Sequence, residues 1–439
     1  MRGTSVLVAG AGLAGLTAGR ALVTKGAAVT VVDARDRVGG RVFTFRDPFL
    51  HREHAEAGAD LIDESQTEIC KLIAAVGLRA AKILPGGFTS ITETGGRRRI
   101  GGKRGWDDLA KRLQSEVRAF CVSEQRWDGG VAESLARESV AQWLDRIGAP
   151  KPIRDVAIGL RGFFLADVDE LSLLALTDQF AEEGSPGSEK MSRIVGGNDR
   201  LPAALAKALG SRVRLKTTLR RVSQTRAGVI AALESNGRIE EARFDCVICA
   251  LPATTVRDVA FEPALPEPQR QAIATITYGA ATKTALQFDR APWRKRGVPR
   301  AFGTPLPIGA VWDGNENEKG NILTLLAGGR ASAATQAMLA AEGPSRIVRE
   351  MSWLNFKNTT LTAWASMSWE HERWSRGGYA FFDTQFPPSL RYALARPFER
   401  IFFAGEHTSM RWQGYMNGAV ETGLRAAEEV AAHVRATRS

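Results

Sequence analysis

A chain of 439 residues is too long for one ordinary hydrophobic core, so two domains, or three, are the natural expectation. Its 44% hydrophobic and 24% charged residues are the balance of a soluble globular protein, and it holds no run of about 18 uninterrupted apolar residues from which to predict a transmembrane helix. A net charge of +11 admits nucleic acid or an acidic surface as partner, but the densest basic runs, "GGRRRIGGKR" (95–104) and "WRKRGVPR" (293–300), are short and loop-like; a solvated basic surface is favoured, with neither nucleic acid nor membrane expected.

The chain opens directly into an apolar stretch, "TSVLVAGAG", too short and too soon rich in glycine for a secretory signal. The cytoplasm is the default compartment. Ser5–Ala9 reads as a strand, followed by Gly10-x-Gly12-x-x-Gly15 and a helix over Leu16–Lys25. Gly26 closes that helix, a second strand covers Ala28–Val32, and Asp33 ends it. A glycine triplet alone is weak evidence; set between strand and helix, with an acid after the next strand, it predicts a dinucleotide site. Gly10 allows the tight turn, Gly12 lets a pyrophosphate approach the backbone, and Gly15 lets helix and strand pack closely. The helix N-terminus offers N–H groups to phosphate, and Asp33 can accept from a ribose diol. Gly39-Gly40-Arg41 then forms a second glycine turn carrying a cation, an element that nicotinamide dehydrogenases usually lack.

At "DARDRVGGR" the chain resembles the flavin-containing amine oxidase family, monoamine oxidases included, whose members carry Glu/Asp-Ala-x-x-Arg-x-Gly-Gly-Arg there. The resemblance extends in separated blocks over nearly the whole length. It implies an α/β fold: a Rossmann-like FAD-binding domain with a discontinuous mixed α+β substrate-binding domain. The first would comprise 1–85, 193–270 and 395–439, the second 86–192 and 271–394. It assigns FAD contacts to Gly10, Gly12, Ala14, Gly15, Asp33, Ala34, Gly40 and Arg41. In "AEAGADLID" (55–63), where the family's backbone passes the flavin, it adds Ala57, Gly58, Ala59 and Asp60. Asp63 falls where some polyamine oxidases keep an acid near the substrate amine, so Asp63 or Glu64 could select a cation; solvated acids at a helix start are the competing reading.

Residues 86–192 read mostly helical. Trp106, Leu109, Leu113, Val117 and Phe120 share one helical face, and Ser139-x-x-Gln142 is a capping box before Val140, Trp143 and Leu144. "RIVGGNDRLPAALAKAL" (193–209) resembles the family's return to its FAD domain; the hairpin-like stretch after it places Val222 at the adenine. Of the four cysteines, Cys70, Cys121, Cys246 and Cys249, the last two form a Cys-x-x-Cys inside the apolar "FDCVICALP", which reads as a core strand rather than a redox or zinc motif. No metal set or hydrolase triad is evident among five histidines.

Residues 271–394 read as strands, "TKTALQF", "ILTLLA" and "LTAWASM". Lys283 matches the family's flavin-facing lysine, with Trp293 at the family's spacing; its competing reading is a surface lysine on an edge strand. Trp369 precedes Tyr379 by ten residues as in monoamine oxidases, and Tyr379 and Tyr415 align with the two walls of their aromatic cage. The C-terminal "FAGEHTSMRWQGYMNGAVETG" matches the family signature, assigning cofactor contacts to Gly405, Glu406, Gly414, Tyr415, Met416 and Ala419.

Two departures matter. Gly378 stands where monoamine oxidases carry the cysteine bonded to flavin, so FAD should be held non-covalently. The arginine with which L-amino-acid oxidases grip a carboxylate is missing from "GADLIDES". The resemblance thus implies an FAD-dependent oxidase of the C–N bond of a small amine, passing electrons to oxygen to give hydrogen peroxide, with a homodimer as the candidate assembly. The alternatives are an L-amino-acid oxidase, a C–C desaturase like protoporphyrinogen oxidase, and a non-catalytic flavin scaffold.

Overall fold

The computed structural model describes residues 1–438 apart from 95–96, 102–103, 184–189, 295–298 and 316–319; parts of both basic runs therefore lie outside the described residues. Ser5–Ala9 sits at the centre of a five-stranded parallel sheet in the order Val213–Arg214, Ala28–Val32, Ser5–Ala9, Cys246–Cys249, Ile401–Phe403. Alternation along each strand divides the core. Val6, Val8, Cys246 and Ile248 face one cluster, which Leu16, Leu22, Leu205 and Val430 complete from three helices, Leu13–Thr24, Arg200–Leu209 and Met416–Arg438. Leu7, Ala9, Val247 and Cys249 face the other, against Leu219, Val222, Val229 and Ala231 of a four-stranded sheet. Both cysteines of the Cys-x-x-Cys are buried, unbridged core residues, and burial pushes each thiol up to about 12.

Both N-terminal strands fall where the pattern places them, but the first helix starts three residues early, at Leu13. The Leu16 N–H already donates to Gly12 O at 3.0 Å, so Gly15 lies inside the first turn. The stretch over 86–192 is mostly helical, as expected, but it opens with strands. Its β-branched "TSITET" forms the strand Thr89–Thr94, paired with Arg97–Ile100. The predicted helical face does form: Trp106, Leu109, Leu113 and Phe120 are buried on Arg104–Val122. The capping box closes in both directions, Gln142 N–H to Ser139 Oγ at 3.2 Å and Ser139 N–H to Gln142 Oε1 at 2.8 Å.

A seven-stranded sheet takes its strands from 89–100 and 281–368, in the order Leu361–Ser368, Ala281–Phe288, Ile322–Gly328, Ala310–Asp313, Ala301–Gly303, Thr89–Thr94, Arg97–Ile100. Every residue of Ala281–Phe288 is buried, and the strand is hydrogen-bonded on both sides. Lys283 is therefore not on an edge strand. Among the described residues no helix is long and apolar enough to cross a membrane.

Candidate active site

One long cavity runs from the glycine turns at the end of Ser5–Ala9 to the buried strand Ala281–Phe288. At its first end Gly10 has φ +106° and its N–H donates to Val32 O at 2.7 Å. A Cβ there would lie 2.6 Å from Ala250 O, so the turn requires glycine. A Cβ on Gly12 would meet no protein atom within 4 Å, and one on Gly40 only Gly12 Cα at 3.5 Å, so both present bare backbone to the cavity. Gly15 does not line the cavity: its missing Cβ, 1.8 Å from Gly10 O, lets the helix sit on the turn. The two glycine turns are joined by the Gly39 N–H to Ala11 O bond of 2.8 Å.

Gly12 caps Leu13–Thr24 with no side-chain bond, leaving first-turn N–H groups for an anion. Asp33 lines the cavity beside it, its carboxylate accepting from Ala11 N–H (2.8 Å) and Arg35 N–H (2.9 Å). Burial raises its pKa against the pull of Arg35.

The C-terminal signature closes onto the same space. Glu406 lines it, but its oxygens are engaged by the protein itself: Arg41 Nη1 (2.9 Å), Gly414 N–H (2.9 Å) and Ala380 N–H (3.4 Å). These bonds tie the second glycine turn to the signature and fix the carboxylate on the cavity wall. The signature's glycines have divided tasks. Gly405 (φ +132°) and Gly414 (φ +84°) make the turn, whereas a Cβ on Gly418 or Gly423 would strike Trp412 O at 2.1 Å or Ala14 O at 2.4 Å. The last two serve packing, Gly423 seating the final helix against the first.

At the far end, Lys283 Nζ donates to Gly58 O (2.7 Å) and Asp60 Oδ2 (2.8 Å). Asp60 also accepts from Arg193 Nε (2.6 Å) and Trp312 Nε1 (3.0 Å), and the lysine lies over the Trp312 ring at 5.1 Å. Burial lowers the lysine's pKa, opposed by Asp60. For Asp60, burial is outweighed by Arg193 and Lys283, and its pKa falls. Glu56, buried behind them, is pushed up to about 7 by burial and by Asp60.

Tyr379 and Tyr415 reach the cavity from different segments. The Tyr379 hydroxyl donates to Phe163 O at 2.5 Å, and its ring packs at Gly414, where a Cβ would lie 3.2 Å from Cδ2. Tyr415 meets Trp412 edge-on at 5.9 Å, and its hydroxyl accepts from Gln179 Nε2 at 3.4 Å.

Of the other predicted residues, Ala14, Ala34, Arg41, Gly58, Ala59, Asp63, Trp369, Gly405, Met416 and Ala419 line the cavity, and five lie outside it. Gly15 is described above. Ala57 lies behind the wall, its carbonyl taken by Trp369 Nε1 at 2.8 Å. Val222 is wholly buried between the sheets; Thr217–Arg220, nearer the start of its strand, line the cavity in its place. Glu64 points to solvent and pairs with Lys190 at 3.0 Å, which favours the solvated reading for that acid. Trp293 meets Phe288 edge-on and Phe356 at a tilt in a separate core cluster. Arg193, Trp312, Phe163 and Gln179 were missed. Their approach depends on sheet and helix packing, and nothing local in the sequence marks it.

A strand, a bare glycine turn and an uncapped helix at one end of a cavity, and a buried lysine with two tyrosines at the other, define a dinucleotide-dependent oxidoreductase. The chain belongs to the flavin containing amine oxidoreductase family, which matches residues 13–431. It is 26% identical to human amine oxidase [flavin-containing] B over 97% of this chain and 85% of that protein, and 27% identical to the mouse protein over 97% and 86%. Among solved structures, putrescine oxidase bound to putrescine (23% identical) and cyclohexylamine oxidase from Brevibacterium oxydans (24%) each superpose with a TM-score of 0.85, covering 98% of this chain and 99% of theirs. FAD is the cofactor this family implies, and the open faces of Gly12 and Gly40, with the uncapped helix, fit a dinucleotide.

Proposed function

We propose that this chain oxidises the C–N bond of a small amine to an imine, with non-covalently held FAD and with oxygen as the final acceptor. The observation that carries the reading is the convergence of Lys283, Tyr379 and Tyr415 on the cavity whose other end is the bare glycine turn. FAD, when bound, would take up the hydride leaving the amine's α-carbon; together with the proton shed by the amine nitrogen, its two electrons would then pass to oxygen as hydrogen peroxide. Gly10, Gly12, Asp33 and Gly40 would hold its adenosine and phosphates; Gly58, Ala59 and the turn Gly414–Ala419 would hold the flavin.

The two tyrosine rings would flank the amine and orient its lone pair and α-hydrogen. The largely apolar wall favours the neutral amine over its cation. Lys283 supplies a positive charge where reduced oxygen species gain negative charge. Non-covalent binding is supported by Gly378: a Cβ there would lie 2.4 Å from Leu165 Cδ1, and none of the four cysteines lines the cavity. The division into an FAD domain (1–85, 193–270, 395–439) and a substrate domain (86–192, 271–394) is part of the proposal, supported by sheet membership.

The test is anaerobic mixing of the FAD-loaded protein with panels of amines, amino acids and polyenes while the oxidised flavin band is followed. Bleaching by amines alone is the expected result. Bleaching by amino acids or polyenes alone moves the function to another branch of the chemistry; none at full FAD occupancy removes catalysis from it.

A further inference from the structure

Lys283 does not stand alone. Its side chain and that of Asp60 are 3% and 4% exposed, and Arg193 on the other oxygen of Asp60 is 1% exposed. Trp312 donates to the oxygen that takes the lysine, and Glu56 lies behind, held by Thr44 Oγ1 (2.9 Å) and Asn198 N–H (2.8 Å). The groups facing the lysine are thus Asp60, Glu56, Arg193, the Gly58 carbonyl and the Trp312 ring. Two carboxyls, Asp60 and Glu56, are set against two cations, Lys283 and Arg193, and all four side chains are buried.

We infer that Asp60 is the positioning residue of the oxidative half-reaction: it is the counter-ion that keeps Lys283 an ammonium and fixes it on the cavity wall. The inference rests on the role proposed above for Lys283. Arg193 and Trp312 hold the carboxylate, and the carboxylate with Gly58 O holds the lysine. Take the charge from Asp60 and the ammonium is left buried beside a second cation, with one carbonyl and a more remote carboxyl for support. A group so placed sheds its proton. The cavity then loses the fixed positive charge that would stabilise the anions formed as two electrons and two protons pass from reduced flavin to oxygen. A purely architectural Asp60–Arg193 pair would leave the proton on Lys283 untouched.

The distinguishing measurement reads that proton directly. Full-length protein, with and without FAD, is labelled competitively with acetic anhydride, and acetylation at Lys283 is followed by peptide mass spectrometry against the exposed Lys71. Only the neutral amine reacts. D60N is expected to label Lys283 at least tenfold faster than wild type at pH 7.5, and D60E to restore slow labelling. In the FAD-loaded protein D60N should be reoxidised by oxygen at least tenfold more slowly, a larger loss than in its anaerobic reduction by amine. Labelling of D60N at the wild-type rate overturns the inference. If D60N labels fast but neither D60N nor K283M slows reoxidation, Asp60 is the counter-ion and the proposed role of Lys283 is what fails. Should D60N not fold, the double variant D60N/K283M decides. Recovery of FAD binding identifies the unpaired ammonium as the fault; no recovery assigns Asp60 to Arg193 and overturns the inference.

Discussion

The two ends of the cavity are built from different materials. The end at Gly10–Gly15 is backbone: a turn at φ +106°, a Gly12 with open space where a Cβ would be, and helix N–H groups without a cap. The end at Lys283 is side chain: Asp60, Arg193 and Trp312 arrive from separate strands and turns to fix one ammonium. The backbone end admits no Cβ at Gly10 or Gly15, yet its chemistry is generic to dinucleotides. The side-chain end depends on charge balance, where a substitution can keep the fold and alter one step of the reaction.

The sharpest break in this comparison is G15V. Its Cβ would start 1.8 Å from Gly10 O and its methyl groups have nowhere to go. Destabilisation of about 3 kcal/mol or more is expected, together with loss of FAD, measured by urea unfolding and by flavin fluorescence on gel filtration. A stable, FAD-replete G15V would show that the turn is not the constraint claimed. K283M comes next and should do the reverse, retaining FAD and stability while reoxidation by oxygen slows about 100-fold, the scale of losing one electrostatic partner of a developing charge. Stopped-flow reoxidation measures this; an unchanged rate removes the lysine from the chemistry.

Behind the lysine, Glu56 gives a pH signature. Its carboxyl is pushed up to about 7 in the fold, above the unfolded value of 4.5, by burial and by Asp60. The folded state therefore favours the protonated form. The stability Glu56 contributes is fully present below pH 4.5 and is lost as pH rises through about 7. Denaturation midpoints between pH 5 and 8 should decline more steeply in wild type than in E56Q, and parallel slopes would refute this.

The same contrast explains what the sequence made legible. Gly10, Gly12 and Gly15 announce themselves because a turn closed to Cβ atoms at Gly10 and Gly15, and left bare for a ligand at Gly12, calls for one residue type at fixed spacing. Strands such as Ala281–Phe288 follow from apolar runs, so the lysine's strand was placed correctly. Its counter-ion was not. Asp60 read as one more residue of a backbone segment, because its partners lie 133 and 223 residues away in sequence. Val222 lies outside the cavity lining for a related reason: strand register decides which residues of Thr217–Thr225 reach the cavity, and a hairpin pattern alone does not fix it. Glu406 was located correctly, but its bonds to Arg41 and Gly414 appear only once both ends of the chain meet.

A smaller effect separates the two tyrosines. Y379F removes the hydroxyl bond to Phe163 O, worth about 1 kcal/mol, and should loosen the helical segment carrying Phe163, raising KM a few-fold. Y415F gives up the longer contact from Gln179, at 3.4 Å, and should change KM less, in steady-state assays of both variants. Equal effects would mean that the hydroxyls act through something other than these bonds.

The smallest expected difference lies at the cavity mouth, between adjacent acids. Asp63 lines the cavity and accepts from Ser65 N–H at 2.9 Å; Glu64 turns outward, 56% exposed, to Lys190. An exposed pair of that kind is worth about 0–1 kcal/mol, so E64Q should leave kcat/KM for any amine within about twofold. D63N keeps the side chain's shape but removes a negative charge from the wall. If that charge draws in cationic amines, KM should rise several-fold, more at low than at high ionic strength, with kcat unchanged. A neutral outcome at both positions would leave amine selection to the aromatic rings and to the shape of the side-chain end of the cavity.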